Sequence, residues 1–210
     1  MLHMTFALGT DYTAPNISDI QALFLSKVPE LSDGGATGYA WLSKALEAPE
    51  GLESTMLGGA FGILALQDTH DEEDFLALMG PIAEEAKERF PESNVTFAPM
   101  FEKYDSFLDW FKVYDDQSPA GANVWMGSRL LDEEALKGDL EKLAGNLDRL
   151  GDDGGSLMVH LVAGKGVHKA KPRGGENAVL PAWRKAYAHS RKLHPLLYFI
   201  LKISWCLTLT

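Results

Sequence analysis

The sequence predicts an α+β fold, in which an antiparallel or mixed sheet carries helices on one face. Two observations support this prediction. Long amphipathic helical patterns are interspersed with strand patterns that look half-buried. The composition, with 46% hydrophobic and 23% charged residues over 210 positions, is that of a globular protein long enough to bury a core.

The N-terminal part of the chain predicts one strand and two helices. Residues 4–8 are typical of a short strand, and apolar residues from Ile17 onward recur at helical spacing up to Pro29, which ends the helix. The spacing of three further apolar residues predicts a second helix that ends near Pro49. These residues are Tyr39, Leu42 and Leu46.

The next part predicts a strand and the clearest helix of the chain. Residues 55–66 are apolar and glycine-rich, which indicates a strand with a bulge or a close backbone approach at Gly58 and Gly59. Residues 71–90 predict a helix whose acidic first turn favours the positive end of the helix dipole. Its apolar stripe consists of Phe75, Met79, Ile82, Ala86 and Phe90.

Three shorter elements follow. Residues 95–97 predict a short strand, residues 107–111 an aromatic-rich short helix, and residues 123–131 another strand. Strand alternation divides the side chains of this last strand into two sets. Val124, Met126 and Ser128 fall on one face, and Trp125, Gly127 and Arg129 fall on the other.

The C-terminal part predicts two helices around a strand and a loop. Residues 132–150 predict a helix that Asp132 caps and that carries leucines at alternating spacings of four and three. Residues 157–163 predict a strand, and residues 164–178 a basic, glycine-rich loop. A last helix is expected to start at Pro181 and to run through Trp183 and Tyr187.

One face of this sheet needs a cover. Trp125, Met158 and His160 would be unusual as fully solvated side chains. We therefore expect the face that carries them to meet a ligand or another domain.

Charge and composition exclude several kinds of site. The formal net charge of −11 disfavours nucleic-acid partners, because an acidic chain repels phosphate. The single Cys206 excludes an intrachain disulfide and a cysteine-based zinc site. The sequence contains no phosphate-binding glycine loop, no H-E-x-x-H and no G-x-S-x-G, and its histidines lack metal-binding spacing. We therefore expect no metal site.

Two single residues could carry chemistry. His160, in the middle of a strand, could be a general base or a hydrogen-bond partner for a ligand, or a satisfied half-buried histidine. Arg129, at the end of a strand, could clamp an anion or form a structural ion pair. The residues alone leave both alternatives open.

Three segments, taken together, resemble a known family. They are Met126-Gly127-Ser128-Arg129-Leu130-Leu131, Val159-His160-Leu161-Val162-Ala163-Gly164 and Asn177-Ala178-Val179-Leu180-Pro181-Ala182-Trp183-Arg184. Their order is similar to that in the substrate domain of the fungal FAD-linked oxidases of the berberine-bridge-enzyme type. The resemblance covers roughly residues 4–190, and residues 177–184 are its most specific part.

The resemblance implies a fold, a cofactor and an activity. It implies an antiparallel sheet with helices on the outer face and with the inner face toward a flavin. The implied cofactor is FAD, which takes a hydride from a small organic substrate in fungal secondary metabolism, including alkaloid biosynthesis, and passes electrons to oxygen. The implied substrate-binding residues are Met126, Ser128, His160 and Asn177. Arg129 and Arg184 are expected to organise the loop and the last helix.

The sequence also departs from that family. The family's FAD-binding domain precedes the substrate domain, and neither that domain nor the closing Tyr-x-Asn-type motif is found here. We therefore expect residues 1–190 to be a substrate domain that is inactive alone and needs an FAD-binding domain in the same or in another chain.

Residues 191–210 are apolar and atypical of the family. They are compatible with a buried strand, with a membrane tail that is short of the roughly 20 residues of a span, or with an intron or a shifted reading frame. We expect no membrane partner. A function of another class also stays open, a non-catalytic α+β binding or interaction module without flavin. Such a module would carry polar residues on the face of Trp125 and Met158, or would dimerise through it.

Overall fold

The computed structural model describes residues 1–47, 56–115, 124–151, 156–164, 166–171, 173, 175 and 178–195. Its strands are β1 (Leu2–Asp11), β2 (Thr37–Glu47), β3 (Met56–Leu66), β4 (Thr96–Lys103), β5 (Val124–Asp132), β6 (Leu157–Leu161) and β7 (Ala186–Pro195). They form one seven-stranded sheet in the order β4-β1-β3-β2-β6-β7-β5. Every neighbouring pair is antiparallel. The predicted α+β class with an antiparallel sheet is therefore confirmed.

The helices lie between these strands in the chain. They are α1 (Ile17–Ser26), α2 (Val28–Asp33), α3 (Glu72–Arg89), α4 (Phe107–Tyr114), α5 (Glu133–Lys137) and α6 (Leu140–Gly151). Two short 3₁₀ helices cover Pro91–Ser93 and Pro181–Arg184. The predicted helix over 132–150 is thus two helices. Asp132 caps the first of them as expected, because its side chain accepts a hydrogen bond from the amide of Ala135.

The hydrophobic core lies between one face of the sheet and five of the helices. Alternate residues of β1 point into it, and they are Leu2, Met4, Phe6 and Leu8. All but one of the residues of α1 are buried, whereas α3 contributes the predicted stripe around Phe75 and Met79. Leu136 of α5 and Leu147 of α6 complete this side. Burial of these apolar side chains is the main favourable contribution to folding.

The opposite side of the sheet, which we call the open face, carries two cross-strand rows in β2, β6, β7 and β5. The first row consists of Trp41, Met158, Arg191 and Ser128. The second row consists of Tyr39, His160, His189 and Leu130. Their strand neighbours, such as Ala40, Val159 and Ala188, belong to the buried core. The open face is therefore the surface that the sequence predicts to need a cover.

Helix α4 is the exception to the one-sided arrangement. His3 alternates with the core residues Leu2 and Met4, so its side chain is on the side of the open face. Trp110 and Tyr114 of α4 contact the ring of His3. Helix α4 therefore covers the side of the open face near β1. It does not cover the part formed by β2, β6, β7 and β5.

Two predicted helices are wrong. The segment with Tyr39, Leu42 and Leu46 is strand β2, because burial alternates along it, with Ala40 and Leu42 inside. The last helix is limited to the 3₁₀ turn Pro181–Arg184, after which the chain continues as β7.

Two further predictions concern the strands. The close backbone approach expected at Gly58 and Gly59 is confirmed, because a Cβ at Gly59 would lie 2.2 Å from the carbonyl oxygen of Leu8. A register shift lies opposite, in β2 between Ser43 and Leu46. Strand β7 runs across the boundary that the sequence predicts between residues 190 and 191. Residues 196–210 of the predicted tail lie outside the described residues.

Candidate functional site

A line of rings crosses the open face. The ring centroids of Trp41 and Tyr39 are 4.9 Å apart, and those of Tyr39 and His160 are 5.8 Å apart. His160 is 6.2 Å from His189, whose ring is 5.2 Å from that of Trp183. Four of the five rings come from strands β2, β6 and β7, which hold their backbones in fixed register. The rings are tilted by 34° to 90° from one to the next, so the line presents both ring faces and ring edges.

His160 stands in the middle of this line. Its Nε2 atom is buried and has no hydrogen-bond partner among the described residues. Burial lowers the pKa of His160, and the nearby charges of Arg191 and His189 lower the pKa further. The ring is therefore neutral at pH 7 and can accept a proton or a hydrogen bond. A buried polar atom without a partner is uncommon in a folded protein and needs an explanation.

Arg191 provides the second unpartnered group. One of its terminal nitrogens, Nη2, donates to the Sδ atom of Met158 at 2.9 Å. Its Nε is buried without a partner among the described residues. A cavity of about 520 Å³ opens beside it, lined by Trp41, Leu46, Ser156, Met158 and Arg191. This volume is in the usual range for small-molecule pockets.

A second cavity, of about 530 Å³, lies beside the end of the line of rings. The side chains that line it are Val162, Val167, His168, Ala170, Val179, Trp183 and Arg184. His168 is fixed there by a 3.1 Å contact between its Nε2 and the carbonyl oxygen of Ala186. Most of this cavity is formed by the loop before β7 rather than by the sheet.

The structure brings three of the predicted substrate-binding residues to the same side. Met126, Ser128 and His160 all alternate onto the open face, and Met126 and Ser128 lie on the edge strand, where Met126 is 54% exposed. Asn177 lies outside the described residues. Arg184 lines the second cavity, and its role in organising the loop stays a prediction.

Two further predictions concern the positions of Trp125 and Arg129 in β5. Trp125 pairs in the register of Gly127 and Arg129, so the expectation that it shares a face with Met158 is wrong. Arg129 lies in the core-side register of exposed strand β5, and its carbonyl oxygen accepts a hydrogen bond from Ser190. Within the described residues no carboxylate lies within 4.0 Å of its guanidinium, so the ion-pair alternative finds no support there.

Sequence reasoning missed several residues of the site. Tyr39 and Trp41 were assigned to a helix, and His189 and Arg191 lay beyond the predicted end of the sheet. A usable signal was present in both segments. Polar or aromatic residues alternate with small residues at Tyr39-Ala40-Trp41 and at His189-Ser190-Arg191. That period of two is typical of strands.

A separate polar cluster fixes α4 beside His3. The indole Nε1 of Trp110 donates to Nδ1 of His3 at 2.8 Å, and the ring of Tyr114 stacks on His3 at 4.4 Å. Burial lowers the pKa of His3, although the charge of Glu102 acts in the opposite direction. Hydrogen bonds from the hydroxyls of Tyr104 and Tyr114 lower the pKa of Glu102.

Two other kinds of site find no support in the described part of the chain. There, no group of three or more histidine, cysteine or acidic side chains could hold a metal ion. None of the described helices is long and apolar enough to cross a membrane.

The sequence of the chain is similar to that of a known protein. The chain is 30% identical over 188 residues to the FAD-linked oxidoreductase apf9 of Gibberella fujikuroi, covering 84% of this chain and 30% of that protein. The chain is therefore similar in sequence to one part of an FAD-linked oxidoreductase. No family model matches the chain.

The solved structures show the same fold. The VAO-type flavoprotein MtVAO713 of Myceliophthora thermophila matches with a TM-score of 0.69 and 20% identity, over 91% of this chain and 33% of that one. GilR, an oxidoreductase that catalyses the terminal step of gilvocarcin biosynthesis, matches with a TM-score of 0.57 and 14% identity, over 97% of this chain and 40% of GilR. The chain thus spans between 30% and 40% of the length of these proteins.

FAD is the cofactor that the name of the relative apf9 carries. The open face presents two buried polar atoms without partners among the described residues, Nε2 of His160 and Nε of Arg191, and such atoms fit the polar edge of a flavin ring. The rings of the line stand at 34° to 90° to one another, so they do not form one plane. The sequence has no phosphate-binding glycine loop.

Proposed function

We propose that the chain is the substrate-recognition part of an FAD-linked oxidoreductase that oxidises a small organic molecule. The substrate would lie between the open face and the flavin ring. The observation that carries the proposal is the buried, unpartnered Nε2 atom of His160 in the centre of that face. Because the chain spans a third or so of its relatives, the complete activity also needs residues outside it.

His160 would act as the base of the reaction. The substrate hydroxyl or amine gives its proton to Nε2 of His160, which the lowered pKa keeps unprotonated at pH 7. A bound FAD would supply the hydride acceptor for the carbon that carries this hydroxyl or amine. Tyr39, Trp41 and His189 would contact the substrate beside His160 and exclude water.

The same proposal extends to the biological role. GilR catalyses a step of gilvocarcin biosynthesis, and the sequence resemblance is to fungal oxidases of secondary metabolism. We therefore place the reaction in fungal secondary metabolism, alkaloid substrates included, with oxygen as the electron acceptor. Met126 and Ser128 would contact the part of the substrate that extends toward the edge of the sheet.

The test begins by sequencing the transcript through both ends of this reading frame. The complete protein that the transcript encodes is then expressed. We expect the expressed product to be yellow and to have its flavin reduced by substrate under anaerobic mixing. His160→Gln should lower the rate of flavin reduction by about 10²–10⁴-fold, the usual contribution of a general base. The acidic limb of the parent's pH profile should fall below the ordinary histidine pKa of about 6.5.

The matched control is His70→Gln, an exposed histidine that contacts the N-terminal amine. We expect it to leave the rate unchanged. A complete product that binds no FAD would refute the proposed function and favour a non-catalytic binding module. A yellow product whose His160→Gln variant reacts at the parental rate would refute the role of His160 alone.

A further inference from the structure

The cavity beside Arg191 has features that the general oxidase proposal does not use. Trp41, Met158 and Arg191 are consecutive in one cross-strand row, so they form a continuous wall. Leu46 and Ser156 close the sides of the cavity, whose volume is about 520 Å³. The wall is aromatic and apolar apart from the guanidinium of Arg191 and the hydroxyl of Ser156.

Arg191 lacks a counter-charge among the described residues. No described carboxylate lies within 4.0 Å of its guanidinium, although the chain has 30 acidic residues. Its one described polar contact is with Met158 Sδ, a weak acceptor. An arginine remains charged at any accessible pH, and a partly buried charge without a partner is costly. The arrangement is therefore explained if an anion from outside the described chain completes it.

The neighbouring titratable groups do not supply that anion. His160 and His189 stand in the adjacent row and are not acidic side chains. Burial is the largest cause of the lowered pKa of His160, and the charges of Arg191 and His189 lower that pKa further. Lys192, the next residue of β7, points to the core side, and its Nζ contacts the carbonyl of Leu150. The pocket is thus electropositive in a chain whose net charge is −11.

We propose that this pocket binds the carboxylate of an aromatic acid, with the carboxylate on Arg191 and the ring against Trp41. A guanidinium recognises a carboxylate through two parallel hydrogen bonds, and the orphaned Nε supplies one of the donors for this geometry. The apolar wall of Trp41 and Met158 matches the ring of such an acid. This inference names the substrate class of the proposed oxidase and therefore rests on the proposed function. Binding of the acid itself needs no flavin.

The experiment is isothermal titration of the full 210-residue chain with cinnamate and with its neutral analogue cinnamamide. We expect cinnamate to bind at least tenfold more tightly, and rising salt to weaken cinnamate alone. Arg191→Gln should remove the preference for the acid and leave the binding of cinnamamide unchanged. Arg149→Gln, an exposed arginine of α6 that contacts Asn146, is the matched control and should bind like the parent.

Further arms keep the result interpretable. Arg191→Lys retains the charge and should keep a reduced preference for cinnamate, so it tests the proposal if the glutamine variant does not fold. Equal affinities of the parent for acid and amide, or an unchanged preference in Arg191→Gln, would overturn the proposal. Saturable binding of FAD at Arg191 without binding of cinnamate would overturn it too, because the anion would then belong to the cofactor.

These outcomes are separable from the proposed function. The titration contains no flavin, so acid binding by a chain whose complete product holds no FAD supports the pocket and refutes the oxidase. If the complete product is yellow and active but the chain shows no preference for acids, acid binding at Arg191 is refuted and the proposed oxidase function stands.

Discussion

At the scale of single residues, His160 shows how neighbours create a reactive group. The strand register places it between Tyr39 and His189, and Arg191 stands one row away. Burial, and after it the charges of Arg191 and His189, lower the pKa of His160. A histidine in water is half protonated near about pH 6.5, whereas the lowered pKa of His160 favours its neutral form. The sheet thereby keeps a proton acceptor available on its open face.

The lowered pKa of His160 also predicts a pH dependence of stability. Below about pH 6.5 the unfolded chain takes up a proton at this residue more readily than the folded chain does. The stabilisation of the folded chain that comes from neutral His160 is therefore fully present above about pH 6.5. It is lost as the pH falls through the pKa of His160 in the folded chain. His160→Gln should make the urea midpoint less dependent on pH between 7 and 5 than it is in the parent. Equal pH dependence of the two midpoints would contradict the lowered pKa.

At the scale of elements, the sequence predicted those whose pattern is long and local. Helix α3 was predicted within a residue or two, because its acidic first turn and apolar stripe are read from consecutive residues. Strand β2 was missed, because Tyr39, Leu42 and Leu46 also fit helical spacing. The choice between the two periods is made by pairing with β3, the next strand in the chain, and with β6, which lies far away in the sequence.

The contact between β1 and β3 gives a prediction at this scale. Gly59 has a φ of +155°, and a Cβ there would lie 2.2 Å from the carbonyl oxygen of Leu8. Gly59→Ala would have to separate the two strands in addition to straining the backbone, so we expect a loss of at least about 2 kcal/mol of unfolding free energy. The measurement is urea unfolding followed by circular dichroism.

The matched control is Gly145→Ala in α6, where a Cβ would meet nothing within 4 Å. Alanine is more favourable than glycine in a helix interior. The unfolding free energy of this variant should therefore exceed that of the parent by about 0.5–1 kcal/mol. Similar effects of the two substitutions would show that the strands do not approach as closely as described.

At the scale of the whole molecule, the site was predictable only in part. Alternation along β5 and β6 was enough to place Met126, Ser128 and His160 on one side. The cross-strand partners of His160 could not be predicted, since they come from β2, which was assigned as a helix, and from β7, where no strand was predicted. A site on a sheet face is assembled by pairing between distant segments, and a single strand reveals only its own members.

The last prediction concerns what these 210 residues can do without another domain. The proposed function puts a flavin ring over the open face, but the sequence has no glycine loop to cradle a pyrophosphate, and its net charge of −11 repels that group. The purified chain should therefore stay colourless when FAD is added and gel-filtered, and should oxidise none of the substrates of its complete product. Adding the FAD-binding part of that product should restore both colour and turnover, because the chain would then contribute its substrate face. A chain that retains FAD and turns over substrate alone would show that the described residues already hold the whole cofactor.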